Sequence, residues 1–279
     1  MAEVFKLGNG NWGVRQDSLL SYNDENENYK PYPLSVDRNS TATQINKEGL
    51  IVLVGANVPR IEFVDNENGY LLTEPGSTNL IKESERFNLE YWFKSGLSVS
   101  GGKPSPNANR PNAAFEIIED NALGSKAIYN TNSIGGVPLD KEGTMSIYAK
   151  YKDIQWIRAN GAFGSTNFEA WFDIKNGVVG DVQEGITSAT IEPIGFDGWY
   201  RIIVTAIGTS ETTKTVKLLR EYSGFNYISN KINSLRGVAP FGTGFFRTRY
   251  YLADSNGGKS YQGNGTSGSY IYGSQMEVK

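Results

Sequence analysis

The sequence predicts an all-β protein, an antiparallel jelly-roll β-sandwich with a small, partly extended N-terminal segment. Three observations predict it. Apolar residues recur at every second position instead of every 3.6, the period of half-buried strands. Turn dipeptides that tolerate positive φ stand between those runs. No segment longer than two turns has convincing helical spacing, and Ser84 to Phe93 is the one place where a short helix is expected. An early segment, Gly69 to Ile81, and a closing one, Tyr270 to Glu277, bracket most of the chain as parts of one antiparallel unit.

Taken in order, Asn23 to Tyr32 is polar and reads as a solvated loop, and Leu50 to Val54 as a short apolar strand. Asp65-Asn66-Glu67-Asn68-Gly69 reads as a hairpin turn between Phe63 and Tyr70. A boundary is expected near Thr78. It separates an attachment or oligomerisation segment, residues 1–77, from the sandwich, residues 78–279. Thr144 to Lys152 places Met145, Ile147, Ala149 and Tyr151 on one side and Ser146, Tyr148 and Lys150 on the other. Similar runs occupy Gln155 to Ala162, Asn167 to Ile174, Trp199 to Ile207, Thr215 to Tyr222, Phe245 to Ala253 and Ser269 to Val278. Asn176-Gly177, Asp197-Gly198, Asn256-Gly257 and Asn264-Gly265 supply the tight connections. Ser255 to Ser269, dominated by Gly, Ser and Asn, is expected to be a mobile loop. Of the pair Trp199-Tyr200, one ring is expected to face the core and the other outward.

A chain of 279 residues can bury a full core without staples. With 27 basic and 30 acidic residues the net charge is -3, which offers no footprint for a phosphate backbone, so nucleic acid is not an expected partner. Cysteine and histidine are both absent. That excludes disulfides, thiolate nucleophiles, Ser-His and Cys-His pairs, and imidazole-held metals, leaving carboxylates, Lys and Tyr for any chemistry. Met1 to Gly10 lacks the basic start and apolar run of a secretory leader, and no later window has the length of a membrane span, so membrane insertion is not expected.

Several phrases fall in a recognisable order: Arg38 to Thr43, Glu48-Gly49-Leu50, Pro59-Arg60-Ile61-Glu62-Phe63, and Leu71-Leu72-Thr73-Glu74-Pro75 to Thr78-Asn79-Leu80. They are followed by Phe87-Asn88 with Trp92, Ser146 to Lys150, Phe172-Asp173-Ile174 before Asn176-Gly177, Gly198-Trp199-Tyr200-Arg201, and Tyr272-Gly273-Ser274-Gln275-Met276-Glu277. The series resembles tailed-bacteriophage structural proteins, the head-fibre, head-spike and tail-associated proteins with a concanavalin-A-like or carbohydrate-binding-module-like sandwich. The resemblance covers Leu19 to the end. It implies a non-enzymatic virion protein at the particle surface, assembled in the host cytoplasm, that meets other capsid or tail proteins and copies of itself as a homo-oligomer. Attachment to the particle would then fall to the extreme N-terminus, with Phe5, Leu7 and Trp12 as candidates.

Sugar recognition needs a flat ring to stack on a pyranose and polar groups for the hydroxyls. Between Asn167 and Ile174, Phe168, Ala170, Phe172 and Ile174 fit the core, which leaves Glu169, Trp171 and Asp173 facing outward. Tyr148, Trp156 and Arg201 are expected to join them from neighbouring strands, either as a host-glycan site or as a face covered by a second subunit or the N-terminal segment. The alternatives are a free carbohydrate-binding module and a polysaccharide-degrading enzyme. Catalysis is disfavoured because no Glu stands two residues before an Asp, and Glu169 and Asp173 would lie about 13 Å apart along one strand. Ala253 to Ser260 imitates a nucleotide-binding loop, but the Gly-rich segment after it cannot form the helix such a loop opens. No cofactor is expected, with a structural calcium ion left open and its ligands unassigned.

Overall fold

The structure, a computed structural model, describes residues 12–15, 18–23, 28–64, 66–73, 76, 78–130, 134–209 and 243–279, with only the backbone of 12–35 and of 243. Its described residues form strands, turns and irregular loops, without a helix. The chain enters through β1 (Trp12–Arg15), β2 (Ser18–Asn23) and β3 (Asn28–Ser35), an antiparallel three-stranded sheet. Asn28 to Tyr32, expected in a loop, are therefore strand: Tyr29 stands opposite Tyr22 in a hairpin, where aromatic residues are favoured. Two ribbons follow, β4 (Ala42–Ile45) with β5 (Ile51–Val54), and β6 (Ile61–Glu62) with β7 (Tyr70–Leu71).

The strands after the ribbons are β8 (Trp92–Ser95), β9 (Leu97–Lys103), β10 (Ala114–Glu119), β11 (Leu123–Gly124), β12 (Lys126–Asn130) and β13 (Ile134–Pro138). They continue as β14 (Glu142–Tyr151), β15 (Trp156–Phe163), β16 (Thr166–Asp173), β17 (Val178–Val182) and β18 (Ile186–Pro193). The last are β19 (Trp199–Ile207), β20 (Thr243–Ala253), β21 (Tyr261–Gln262) and β22 (Gly268–Val278). Two antiparallel sheets face each other. The first runs β18-β19-β14-β22-β10-β9, and the second β17-β16-β15-β20-β12-β8, with β13 also on β20. The chain crosses between them after β8, β10, β13, β14, β17, β19 and β20, the sheet-to-sheet winding of a jelly roll. The closing strand β22 lies between β14 and β10 inside the first sheet, so the core is complete only when the end of the chain is in place.

The period-two pattern produces this core directly. Met145, Ile147 and Ala149 of β14 and Ile202, Val204 and Ala206 of β19 meet Ile157 and Ala159 of β15 and Phe168, Ala170 and Phe172 of β16 across the gap. At Gly143 a Cβ would stand 2.7 Å from the rings of Phe163 and Phe246, which stack at 4.8 Å, so the sheets close there only over glycine. Tyr250 reaches across, donating its hydroxyl to the Ser146 carbonyl at 3.1 Å and pairing with Ser274 Oγ at 2.9 Å. Burial pushes its phenol well above the usual range.

Two local expectations are corrected. Ser84 to Phe93 is a chain of turns, in which the amides of Arg86, Leu89 and Trp92 each bond back three residues to Glu83, Arg86 and Leu89. Phe87 and Trp92, five apart, would diverge by about 140° around a helix. Turns instead bring both into the core with ring centroids 4.8 Å apart. Ser255 to Ser269 is not a loose connection, because β21 within it pairs with β11 and Asn264 organises the next turn. The Asn264 side chain accepts from the amides of Thr266 and Ser267, while the Asn264 backbone N–H donates to Glu119 at 2.7 Å. The expected strand Thr215 to Tyr222 lies outside the described residues.

Candidate functional site

The outer face of the first sheet is covered by the ribbons. Ile45 and Ile51 form a second apolar cluster with Ala114, Ile194, Trp199 and Tyr272, and Val64 and Tyr148 pack against it. Trp199 faces outward and is still only 1% exposed, while Tyr200 takes the inward side of β19. At the hairpin between β4 and β5, Gly49 has φ 75° and lies against Gly195 so closely that a Cβ would stand 2.4 Å from the Gly195 carbonyl carbon. The Ile51 amide donates to the Pro106 carbonyl at 2.8 Å, and the Ala108 amide to that of Ile51 at 3.0 Å. Tyr272 donates to Glu85 at 2.5 Å and accepts from Asn107 Nδ2 at 2.7 Å, and Glu85 is also paired with Arg110. Residues 42–71 are thus joined to the sandwich by an apolar seam bordered by hydrogen bonds.

The six outward candidates do not form one site. Tyr148 and Arg201 are cross-strand partners on the first sheet, whereas Trp156, Glu169, Trp171 and Asp173 lie on the opposite face of the sandwich, on the second. The reason is topological: the chain changes sheets between β14 and β15, and again between β17 and β18. Arg201 is held in place, donating to Gln275 Oε1 at 3.0 Å, with its guanidinium 5.8 Å from the Tyr148 ring.

Trp171 points away from the core as expected, but it is 4% exposed and covered by the chain's own loop 254–260. Its indole donates to the Gly258 carbonyl at 2.9 Å, and the Lys259 ammonium lies 5.6 Å from its ring. Lys259 also pairs with Glu169, and Arg158 lies 3.4 Å from the same carboxylate. Asn256 ties the loop to β17 by accepting from the Asp181 amide at 2.7 Å and donating to the Asp181 carboxylate at 2.8 Å. The cover is a segment that resembles a nucleotide-binding loop in sequence and continues into strand β21, its lysine engaged with Glu169.

Asp173 stands opposite Trp156, which is half-buried. It accepts from the Lys175 and Asn176 amides at 3.0 and 2.9 Å, from Asn176 Nδ2 at 2.8 Å and from Gln155 Nε2 at 2.7 Å. Burial pushes this carboxyl up, but the donors from Asn176 and Gln155 and the two amides outweigh it and hold it below the usual range. Glu169 and Asp173 are both buried and committed, one to cations and one to a turn.

Among the described residues no three His, Cys, Asp or Glu side chains stand together as a metal cluster. In the Asp65 to Gly69 segment the Asn66 side chain accepts from the Asn68 amide at 3.0 Å and Gly69 has φ 67°, the hairpin expected there; Asp65 is outside the described residues. Phe5 and Leu7 also lie outside them, and of Trp12 only the backbone, in β1, is described.

The rest of the second sheet's outer face went unnoticed in the sequence reading. Phe93, Tyr129 and Arg249 stand side by side on β8, β12 and β20, with Tyr251 and Arg158 in the next row. Alternation in Phe246 to Leu252 carried the signal, since Phe246, Thr248, Tyr250 and Leu252 are buried and Arg247, Arg249 and Tyr251 take the other side. No protein-family model matches the chain, and no curated protein matches it.

Proposed function

We propose that the chain is a structural virion protein of a tailed bacteriophage, a capsid or tail decoration or fibre component displayed at the particle surface and without catalytic activity of its own. The observation that carries this reading is the ordered series of phrases, and it is supported by where they fall. Pro59 to Phe63 contains β6, Ser146 to Lys150 lies in β14, Gly198 to Arg201 opens β19, and Tyr272 to Glu277 is most of β22. These are ribbon and sheet positions, so the shared phrases encode an architecture. The carboxylates weighed for acid–base chemistry support the same reading, because Glu169 faces two cations and Asp173 closes a turn. Its partners in this role are other capsid or tail proteins and further copies of itself.

The test is mass spectrometry of purified particles from a strain that produces the protein, with immunogold labelling of intact particles. The expected result is a chain present in a fixed ratio to the major capsid or tail protein and labelled from outside. Particles that lack it would refute the proposal.

A further inference from the structure

Away from Trp171, the outer face of the second sheet carries rings and guanidinium groups in register. Phe93 stands opposite Tyr129, and Tyr129 opposite Arg249. The Phe93 and Tyr129 rings are 5.1 Å apart and inclined by 39°, and the Arg249 guanidinium lies 5.3 Å from the Tyr129 ring. Two strand spacings make this row about 10 Å long. In the adjoining row Arg158 is stacked on Tyr251 at 3.8 Å. Phe93 is 48% exposed, a large apolar side chain left at the surface beside half-buried Tyr129 and Arg249.

Around this row, among the described residues, cations outnumber carboxylates: Arg158, Arg249 and Lys259 stand near Glu169, which Arg158 and Lys259 already engage. Arg249 is left with the Tyr129 ring, and its buried Nε makes no hydrogen bond. A guanidinium that is stacked on one ring, next to a second open ring and without a carboxylate, is prepared for a planar anion attached to something with an apolar face. Pyranose rings present such faces, and uronic acids add the carboxylate.

We propose that the Phe93–Tyr129–Arg249 row binds a carboxylated polysaccharide, with sugar faces on the two rings and a uronate carboxylate on Arg249. A nucleic acid fits less well. Non-specific strand binding draws on a run of cations along many phosphates, whereas on this face Arg158 and Lys259 are committed to Glu169 within a chain of net charge -3. The inference rests on the surface-display reading only for the origin of the polysaccharide, as material outside the host cell.

The experiment is affinity electrophoresis of the purified full chain through gels containing alginate, neutral dextran or single-stranded homopolymeric DNA. Alginate is expected to retard the chain, and the other two to leave it unaffected. Arg249→Gln should weaken the retardation at least tenfold and Phe93→Ala several-fold, with thermal unfolding of the Phe93 variant unchanged. Arg86→Gln, at an exposed arginine beside Glu83, should behave as wild type. No retardation by alginate, equal retardation by DNA, or undiminished binding by both Arg249→Gln and Phe93→Ala would overturn the proposal. A chain that binds alginate but is missing from particles leaves this site standing and removes the virion role; one found in particles that ignores alginate does the opposite.

Discussion

The two outer faces of the sandwich are closed in different ways. On the first sheet, ribbons from residues 42–71 bring Ile45 and Ile51 onto Trp199 and Tyr272, an apolar seam in which the cover and the covered are one small core. On the second, a loop just beyond β20 covers Trp171 with a carbonyl, a lysine and an asparagine clasp, and it leaves the Phe93 end of the face uncovered. Apolar burial contributes in proportion to area and without direction, so the first closure is part of the fold. Polar closure depends on a few directed contacts, so the second is separable from it.

The sharpest way to break this comparison is Trp199→Ala. Removing a ring that is 1% exposed from the seam should cost about 3–5 kcal/mol in urea unfolding, and it should loosen the ribbons. A cost below about 1 kcal/mol would mean that the seam holds nothing, since surface changes stay near that range. Trp171→Ala should cost less, about 2–3 kcal/mol, because much of its cover is polar and water can replace it. Its signature is local: limited proteolysis should begin to cut in 254–260 while the ribbons stay protected. Equal exposure of both regions would merge the two closures into one.

Gly49→Ala probes the first closure through the backbone alone. The positive φ costs an L-residue about 1–2 kcal/mol, and the approach to Gly195 leaves no room for a methyl group. Destabilisation of that order by urea unfolding is expected. A neutral Gly49→Ala would show that the hairpin does not need its seat on Gly195.

The strands themselves were legible, because period-two alternation states which side of β14, β15, β16, β19, β20 and β22 is apolar. It does not state which sheet a strand joins. Tyr148 and Trp171 both read as outward, and both are, on faces that point in opposite directions. Nor does alternation report what lies above an outward residue. The Gly258 carbonyl that caps Trp171 comes from 87 residues further along, and the Ile51 that meets Trp199 comes from the other end of the chain. Long-range cover is a property of the closed fold. For the same reason the Phe93 and Tyr129 rings and the Arg249 guanidinium, on three strands far apart in sequence, became one row only when those strands paired.

The smallest expected effect separates the faces by pH. Asp173 is held below the usual carboxylate range by the turn donors, so it binds its proton less readily in the folded state than in the unfolded one. The stability it contributes is therefore fully present above the unfolded value, about pH 4, and is lost as pH falls through the lower folded value. Asp173→Asn, with an amide where the charge accepted hydrogen bonds, should cost about 1 kcal/mol at neutral pH. That cost should shrink as the wild type is brought towards pH 3, measured as paired urea midpoints. Trp199→Ala, acting through apolar area, should keep the same cost at both pH values. A pH-dependent cost at Trp199, or a constant one at Asp173, would show that the polar and apolar closures are coupled.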